Sequence, residues 1–111
     1  LLSMKPENIN GISVYSILLP DVDRKIMTEA AEKIKGSGGV AILVSAGESV
    51  SVILASGTLK VDCKNIITEG LTKFEGRGGG KSDFAQGGIP NPEKASELLD
   101  TLKKSITKSL S

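Results

Sequence analysis

The first half of the chain contains one apolar run and one amphipathic stretch, which predict a strand followed by a helix. Residues 12–19 alternate at first and end wholly apolar, a pattern typical of a strand whose later half is buried on both faces. The stretch that follows has an apolar residue at every fourth position, namely Val22, Ile26, Ala30 and Ile34. Asp21 or Asp23 is a suitable N-cap for this helix, and Gly36 is a suitable end.

Two strands and a second helix are predicted next. Residues 40–45 and 50–55 are apolar runs separated by only four residues, so we expect an antiparallel hairpin. Asp62 can then cap a helix whose apolar side is formed by Cys63, Ile66, Ile67, Leu71 and Phe74. Gly70 lies inside this helix at a cost of about 1 kcal/mol relative to alanine. Such a glycine more often marks close packing against a neighbour than a functional role.

A short strand and a final helix complete the pattern. Residues 83–89 are predicted to form the strand, and Asn91 followed by Pro92 is typical of a helix start. The apolar stripe of that helix is Ala95, Leu98, Leu99, Leu102 and Ile106. The order β-α-β-β-α-β-α predicts a single α+β domain, with a mixed sheet of about four to five strands packed with helices. We expect this domain to cover residues 11–111 and residues 1–10 to be the end of a linker, because those ten show no period.

Composition limits the chemistry that this chain can perform. It has 111 residues, no histidine and one cysteine, Cys63. Neither a Ser-His-Asp or Cys-His catalytic group nor a zinc site of four soft ligands can therefore be built within the chain. Aromatic residues are 3% and the net charge is +1, so base stacking is disfavoured and a polyanion would have to meet a local basic patch. No apolar run reaches membrane-spanning length, so we expect no membrane partner.

The least ordinary feature is a glycine-rich segment at residues 76–88, which holds six of the thirteen glycines and two cations, Arg77 and Lys81. Glycine lets a backbone approach a flat surface and aim several N–H groups at one anion. Residues 80–82, Gly-Lys-Ser, imitate the end of a nucleoside-triphosphate-binding loop. That motif would place its leading glycine at position 75, where this chain has Glu75, and it would follow a strand rather than a helix. The alternative is a flexible turn that binds no ligand.

Residues 78–88 read Gly-Gly-Gly-Lys-Ser-Asp-Phe-Ala-Gln-Gly-Gly. This segment resembles the G-G-G-R-P-D-M-A-Q-A-G-G signature of the C-terminal domain of alanyl-tRNA synthetases, which belongs to the DHH-associated domain family. The element order around it also matches. Lys81, Ser82 and Phe84 replace arginine, proline and methionine of the signature, and lysine keeps the charge of arginine without its bidentate geometry. Related phosphoesterases carry histidine directly after the glycine triplet, where this chain has Lys81.

The resemblance implies a tRNA-binding module that contacts the outer corner of tRNA, where the D and T loops meet, and helps aminoacylation and editing domains share tRNA(Ala). Arg77 and Lys81 would be phosphate partners. The full set of implied RNA contacts is Arg77, Gly78, Gly79, Gly80, Lys81, Ser82, Asp83, Gln86, Gly87 and Gly88. Asp83 and Gln86 have an alternative role, because their side chains can hydrogen-bond the amides of their own loop.

By the same resemblance, this domain alone is neither an enzyme nor a cofactor-binding unit. Its parent would be a cytoplasmic class II alanine–tRNA ligase that uses ATP, magnesium and zinc. Two alternatives stay open. The domain could dimerise its parent through the last helix or a hairpin edge, or it could be the substrate-binding domain of a DHH-family phosphoesterase. Lys103, Lys104 and Lys108 either join an RNA surface or solvate the last helix.

Overall fold

The computed structural model describes residues 6–111, which form one six-stranded sheet with helices on both faces. In chain order the elements are β1 (Glu7–Ile9), β2 (Ile12–Leu19), α1 (Arg24–Gly36), β3 (Val40–Ala46), β4 (Val50–Ser56), α2 (Cys63–Thr72), β5 (Arg77–Gly80), β6 (Phe84–Ile89), a 3-10 turn (Pro92–Lys94) and α3 (Ala95–Leu110). The strands lie in the order β1-β2-β3-β4-β6-β5, and only β2 and β3 run parallel. The α+β class with a mixed sheet is confirmed. The part of the predicted linker at residues 1–5 lies outside the described residues.

Two apolar layers hold the sheet, one on each face. α1 packs on one layer, which includes Leu43 and Ile53. α2 and α3 cover the other, which includes Ile42 and Leu54. Neighbouring residues of β3 and β4 alternate between the two layers because side chains of a strand point to opposite faces. Burying each such aliphatic side chain contributes about 1.5–3 kcal/mol, so this double-sided sheet is the main source of stability.

The sheet contains two strands, β1 and β5, that the sequence pattern did not predict. β1 includes residues 7–9, for which the sequence pattern predicted linker, and it pairs with β2 through a tight turn. Asn10 and Gly11 form this turn with φ values of 55° and 89°, as an Asn-Gly hairpin requires. β5 covers residues 77–80, for which a loop was predicted. The sheet therefore has six strands rather than four to five.

Two predicted burials are wrong. α1 begins after Asp23, and its buried side chains are Met27, Ala30, Ala31 and Ile34. This i, i+3, i+4, i+7 set leaves Ile26 on the outer side, 50% exposed. Leu18 was expected to be buried, yet it is 48% exposed. β1 pairs with β2 only as far as Val14, so the later half of β2 has no strand on its outer side among the described residues.

The last helix begins later than predicted. Asn91 precedes Pro92, but it starts a 3-10 turn and its side chain makes no capping hydrogen bond. α3 itself begins at Ala95. Within residues 6–111, no helix has both the length and the apolar character needed to cross a membrane.

Gly70 allows α2 and α3 to pack closely. A methyl group at this position would lie 2.7 Å from Cδ2 of Leu102. The prediction that this glycine marks close packing is therefore confirmed. Phe74 lies beyond the end of α2 at Thr72, although it still packs against the same apolar layer.

Candidate nucleic-acid interface

The glycine-rich segment is a β-hairpin at the edge of the sheet, where the sequence predicted a loop. β5 pairs antiparallel with β6 along its whole length. The amide of Lys81 donates to the carbonyl of Phe84 over 2.8 Å, which closes a two-residue turn. β5 is the outermost strand, so one side of its backbone has no neighbouring strand among residues 6–111. The segment therefore presents a defined backbone at an open edge.

Three contacts fix the turn of this hairpin to the rest of the domain. The amide of Cys63 donates to the carbonyl of Ser82 over 2.8 Å, and the amide of Ser56 donates to the carbonyl of Asp83 over 3.0 Å. The Asp83 carboxylate also lies 2.9 Å from Nζ of Lys35. The hydrogen bond in this ion pair lowers the pKa of Asp83 from 3.8 and raises the pKa of Lys35 from 10.5. The turn is therefore held from α1, β4 and α2 together.

The thiol of Cys63 lies buried behind the turn. Burial raises its pKa to about 12, so the thiol stays protonated and is a poor nucleophile. The predicted role of a small buried hydrophobe is confirmed. Across residues 6–111, no three His, Cys, Asp or Glu side chains cluster in a way that could hold a metal ion.

The three glycines of β5 meet different structural demands. A methyl group at Gly78 would lie 2.6 Å from Cδ1 of Leu71. At Gly80, whose φ is +145°, it would lie 2.5 Å from the carbonyl oxygen of Phe84. At Gly79 no atom of the part of the chain that the structure describes lies within 4 Å of the added carbon, and φ is outside the left-handed region. The fold therefore explains the first and third glycines of the triplet but gives no reason for Gly79.

The two glycines of β6 are also explained by packing. A methyl group at Gly87 would overlap the carbonyl oxygen of Arg77, and one at Gly88 would lie 2.5 Å from the carbonyl oxygen of Val50. Among the five glycines that the sequence implies as RNA contacts, Gly79 is thus the one whose missing side chain the fold does not need.

Arg77 and Gly79 lie on the same face of β5 because alternate residues of a strand share a face. Lys81 follows the strand and pairs with Phe84, a residue of that same face. The two cations are about 13 Å apart along the strand direction, at the usual rise per residue. Both side chains are exposed, and neither forms an ion pair within the part of the chain that the structure describes. Gly79 leaves bare backbone between them.

Arg24 joins this face from the start of α1. Its guanidinium donates to Oε1 of Gln86 over 2.9 Å. Arg24 and Arg77 also line one surface groove of about 430 Å³. Gly88 of β6 pairs with Ser51 of β4 on one side and with Arg77 of β5 on the other. No side chain therefore lies between the serine and the arginine at this register position. Sequence reasoning missed Arg24, which stands 62 residues before Gln86 and belongs to no recognisable motif.

The side chains of Asp83 and Gln86 both contact α1. Asp83 pairs with Lys35, and Gln86 accepts from Arg24. The Asp83 carboxylate also accepts a hydrogen bond from its own backbone amide. Both residues therefore hold the shape of the hairpin, and their role as RNA contacts stays a prediction. The implied contact residues divide by position: Arg77, Gly79, Lys81, Gln86 and Gly88 share one face, Gly78 and Gly87 face Leu71 of α2, Gly80 lies against Ala85, and Ser82 and Asp83 form the turn.

The DHHA1 domain family matches residues 11–108, and this chain with its mixed sheet and edge hairpin belongs to that family. Within it, the chain matches the C-Ala domain of alanyl-tRNA synthetase. The crystal structure of the C-Ala domain from Aquifex aeolicus alanyl-tRNA synthetase superimposes with a TM-score of 0.78 and 25% identity, covering 97% of this chain and 99% of that one.

Curated relatives of the chain are much longer proteins. The alanine–tRNA ligase of Methanoregula boonei is 33% identical over 108 residues, which are 97% of this chain and 12% of that ligase. The alanine–tRNA ligase of Methanocorpusculum labreanum is 35% identical over 92 residues, which are 83% of this chain and 10% of that ligase. The chain thus spans between 10% and 12% of these relatives and is homologous to one part of them.

Proposed function

We propose that this domain binds tRNA through one face of its edge hairpin. This hairpin face consists of Arg24, Arg77, Lys81 and Gln86 around the bare backbone at Gly79. The homology to alanine–tRNA ligases supports tRNA(Ala) as the ligand, with contact at its outer corner. The domain is not catalytic. Aminoacylation and editing take place in other domains of a cytoplasmic parent enzyme, which uses ATP, magnesium and zinc and shares the tRNA held here.

The observation that carries this proposal is the open space over Gly79. Glycine in a strand lowers stability by roughly 0.5–1 kcal/mol relative to alanine, so an unneeded glycine calls for another reason. A backbone without a side chain lets an RNA strand approach the peptide plane closely. Arg77 and Lys81 on either side can then reach phosphates of the same strand.

The charge of the domain sets the expected strength of binding. The net charge is +1, and the hairpin face offers three cations, Arg24, Arg77 and Lys81. A plot of log affinity against log salt concentration should therefore have a shallow slope, on the order of −2 to −4. Folded tRNA should bind more tightly than unstructured RNA, because the hairpin is rigid and reads shape.

The Gly79→Val variant tests the proposal, since valine should fit the fold but block close approach. We expect its melting temperature to equal or exceed that of the parent, because no atom of the described residues lies within 4 Å of the added Cβ and valine favours strands. Its tRNA affinity should fall at least about fivefold, roughly 1 kcal/mol. Gly36→Val is the matched control, since Gly36 also has open space around it and lies outside the hairpin face. Parent-like tRNA binding by a folded Gly79→Val variant would contradict the proposal.

A further inference from the structure

An acidic residue, Glu75, lines the same groove as Arg24 and Arg77. Its side chain is exposed, and it forms no ion pair with any residue between 6 and 111. A negative charge here repels the phosphate that the two arginines attract. Attraction of phosphate therefore does not explain a glutamate at this position.

The backbone of Glu75 is also in an unfavourable conformation. Its φ is +62°, in the left-handed region that residues with a Cβ rarely adopt. The amide of Glu75 donates to the carbonyl of Thr72 over 3.2 Å, and the amide of Gly76 donates to the carbonyl of Leu71 over 2.8 Å. This pair of bonds is the Schellman ending of a helix, in which the position of Glu75 is usually glycine. The chain thus has glutamate at a position where glycine would give a more stable fold and would not repel phosphate.

The hydrogen-bonding chemistry of nucleic acids offers a reason for this glutamate. An ionised carboxylate only accepts hydrogen bonds, whereas guanidinium groups only donate. Phosphodiester oxygens are acceptors, so they suit Arg24 and Arg77 but not Glu75. The one donor in an RNA backbone is the ribose 2′-hydroxyl, which DNA lacks.

We propose that the Glu75 carboxylate accepts a hydrogen bond from a ribose 2′-hydroxyl beside the phosphate held by Arg24 and Arg77, which makes the groove selective for RNA over DNA. This inference rests on the proposed function, because it needs the hairpin face to bind a nucleic-acid backbone. DNA has no 2′-hydroxyl that could donate to the carboxylate, so in a DNA complex the carboxylate only repels the phosphates. The negative charge of Glu75 therefore strengthens RNA binding and weakens DNA binding.

The test compares an RNA stem-loop with the DNA stem-loop of the same sequence, so that the base amino groups, the other donors of a nucleic acid, are matched. Binding is measured for the parent, Glu75→Gln, Glu75→Gly and Glu69→Gln. Glu69 is an exposed glutamate on α2 that also lacks an ion pair within the described residues, so its variant controls for the loss of one charge.

We expect the parent and Glu69→Gln to prefer RNA about tenfold, the value of one hydrogen bond to a charged group. Both Glu75 variants should reduce this ratio at least about fivefold, by losing RNA affinity and gaining DNA affinity. Glu75→Gly should also melt at a higher temperature than the parent, since its backbone strain is removed. Equal gains in RNA and DNA affinity in the Glu75 variants would overturn the inference, because the carboxylate would then only repel.

Arg77→Ala separates this inference from the proposed function. If Arg77→Ala weakens binding of both nucleic acids while the Glu75 variants leave the ratio unchanged, the hairpin face binds nucleic acid and Glu75 does not read ribose. If Arg77→Ala has no effect on either nucleic acid, the proposed function fails and the role of Glu75 fails with it.

Discussion

The guanidinium of Arg24 donates a 2.9 Å hydrogen bond to the side-chain oxygen of Gln86, and this bond joins the first turn of α1 to the middle of the edge hairpin. Gln86 is in register with Gly79, so the arginine is held beside the bare position of β5. A helix that covers one face of the sheet thus also supplies a cation to the hairpin face. The surface that we assign to RNA is therefore assembled from two distant parts of the chain.

Arg24→Ala should weaken tRNA binding by about 1–2 kcal/mol, roughly five- to thirtyfold, because one charged contact is lost. Its free energy of unfolding should stay within about 0.5 kcal/mol of the parent, since the side chain is exposed. Lys25→Ala is the matched control, because Lys25 is an exposed cation at the next position of the helix, about 100° around the helix axis from Arg24. Equal losses in the two variants would show that binding depends on total charge rather than on the hairpin face.

Asp83→Asn should lower stability at neutral pH but not in acid. The pKa of folded Asp83 lies below 3.8, so its ionised form stabilises the fold above that pH, and the contribution is lost as pH falls through the lowered pKa. The raised pKa of Lys35 sets the opposite limit: its contribution is complete below 10.5 and is lost as pH rises through the raised value. Urea unfolding of parent and variant at about pH 7 and about pH 2 measures the difference.

The control for this experiment is Asp100→Asn, which removes an exposed carboxylate that pairs with Lys104 at 3.1 Å on α3. Unlike Asp83, that carboxylate anchors no turn. A stability difference between parent and Asp83→Asn that is the same at both pH values would show that the ion pair with Lys35 is not its source.

Gly70→Ala should destabilise the domain even though alanine is the better helix former by about 1 kcal/mol. The added methyl group would meet Cδ2 of Leu102 at 2.7 Å, and such overpacking typically costs 1–3 kcal/mol. Leu102→Ala should cost about 2–5 kcal/mol by opening a cavity. The double variant should lose less than the sum of the single losses, because the methyl group then occupies freed space. If urea unfolding showed that the two losses of unfolding free energy are additive, the methyl group at position 70 and the side chain of Leu102 would not compete for the same space.

Sequence periodicity predicted the elements that are long and buried. β3, β4, α2 and most of α3 lie where their apolar patterns place them, because each buries a continuous stripe. The strand at residues 7–9 was missed although the Asn10-Gly11 pair is a strong hairpin signal. β5 was missed because its three glycines carry no side-chain pattern, and its strand conformation is set by pairing with β6.

The candidate site was only partly predictable for a similar reason. Arg77 and Lys81 are adjacent to the glycine triplet, so the resemblance alone named them as candidate RNA contacts, although it did not predict the hairpin. Arg24 reaches the same face only through the packing of α1 on the sheet, which no local pattern encodes. The local sequence likewise does not show that a side chain would fit at Gly79 but not at Gly78. That difference depends on Leu71, a residue of α2 that lies against Gly78.

The most direct test of the account is the tRNA dissociation constant of Arg77→Ala/Lys81→Ala measured beside that of Lys103→Ala/Lys104→Ala. Each double variant removes two positive charges, but the second removes them from α3, where these lysines pair with Glu7 and Asp100. We predict that the hairpin variant weakens binding by about 2–3 kcal/mol, roughly 30- to 150-fold, while the α3 variant changes it by less than about threefold. Parent-like binding by the folded hairpin variant, or equal losses in the two variants, would contradict the claim that the hairpin face holds tRNA.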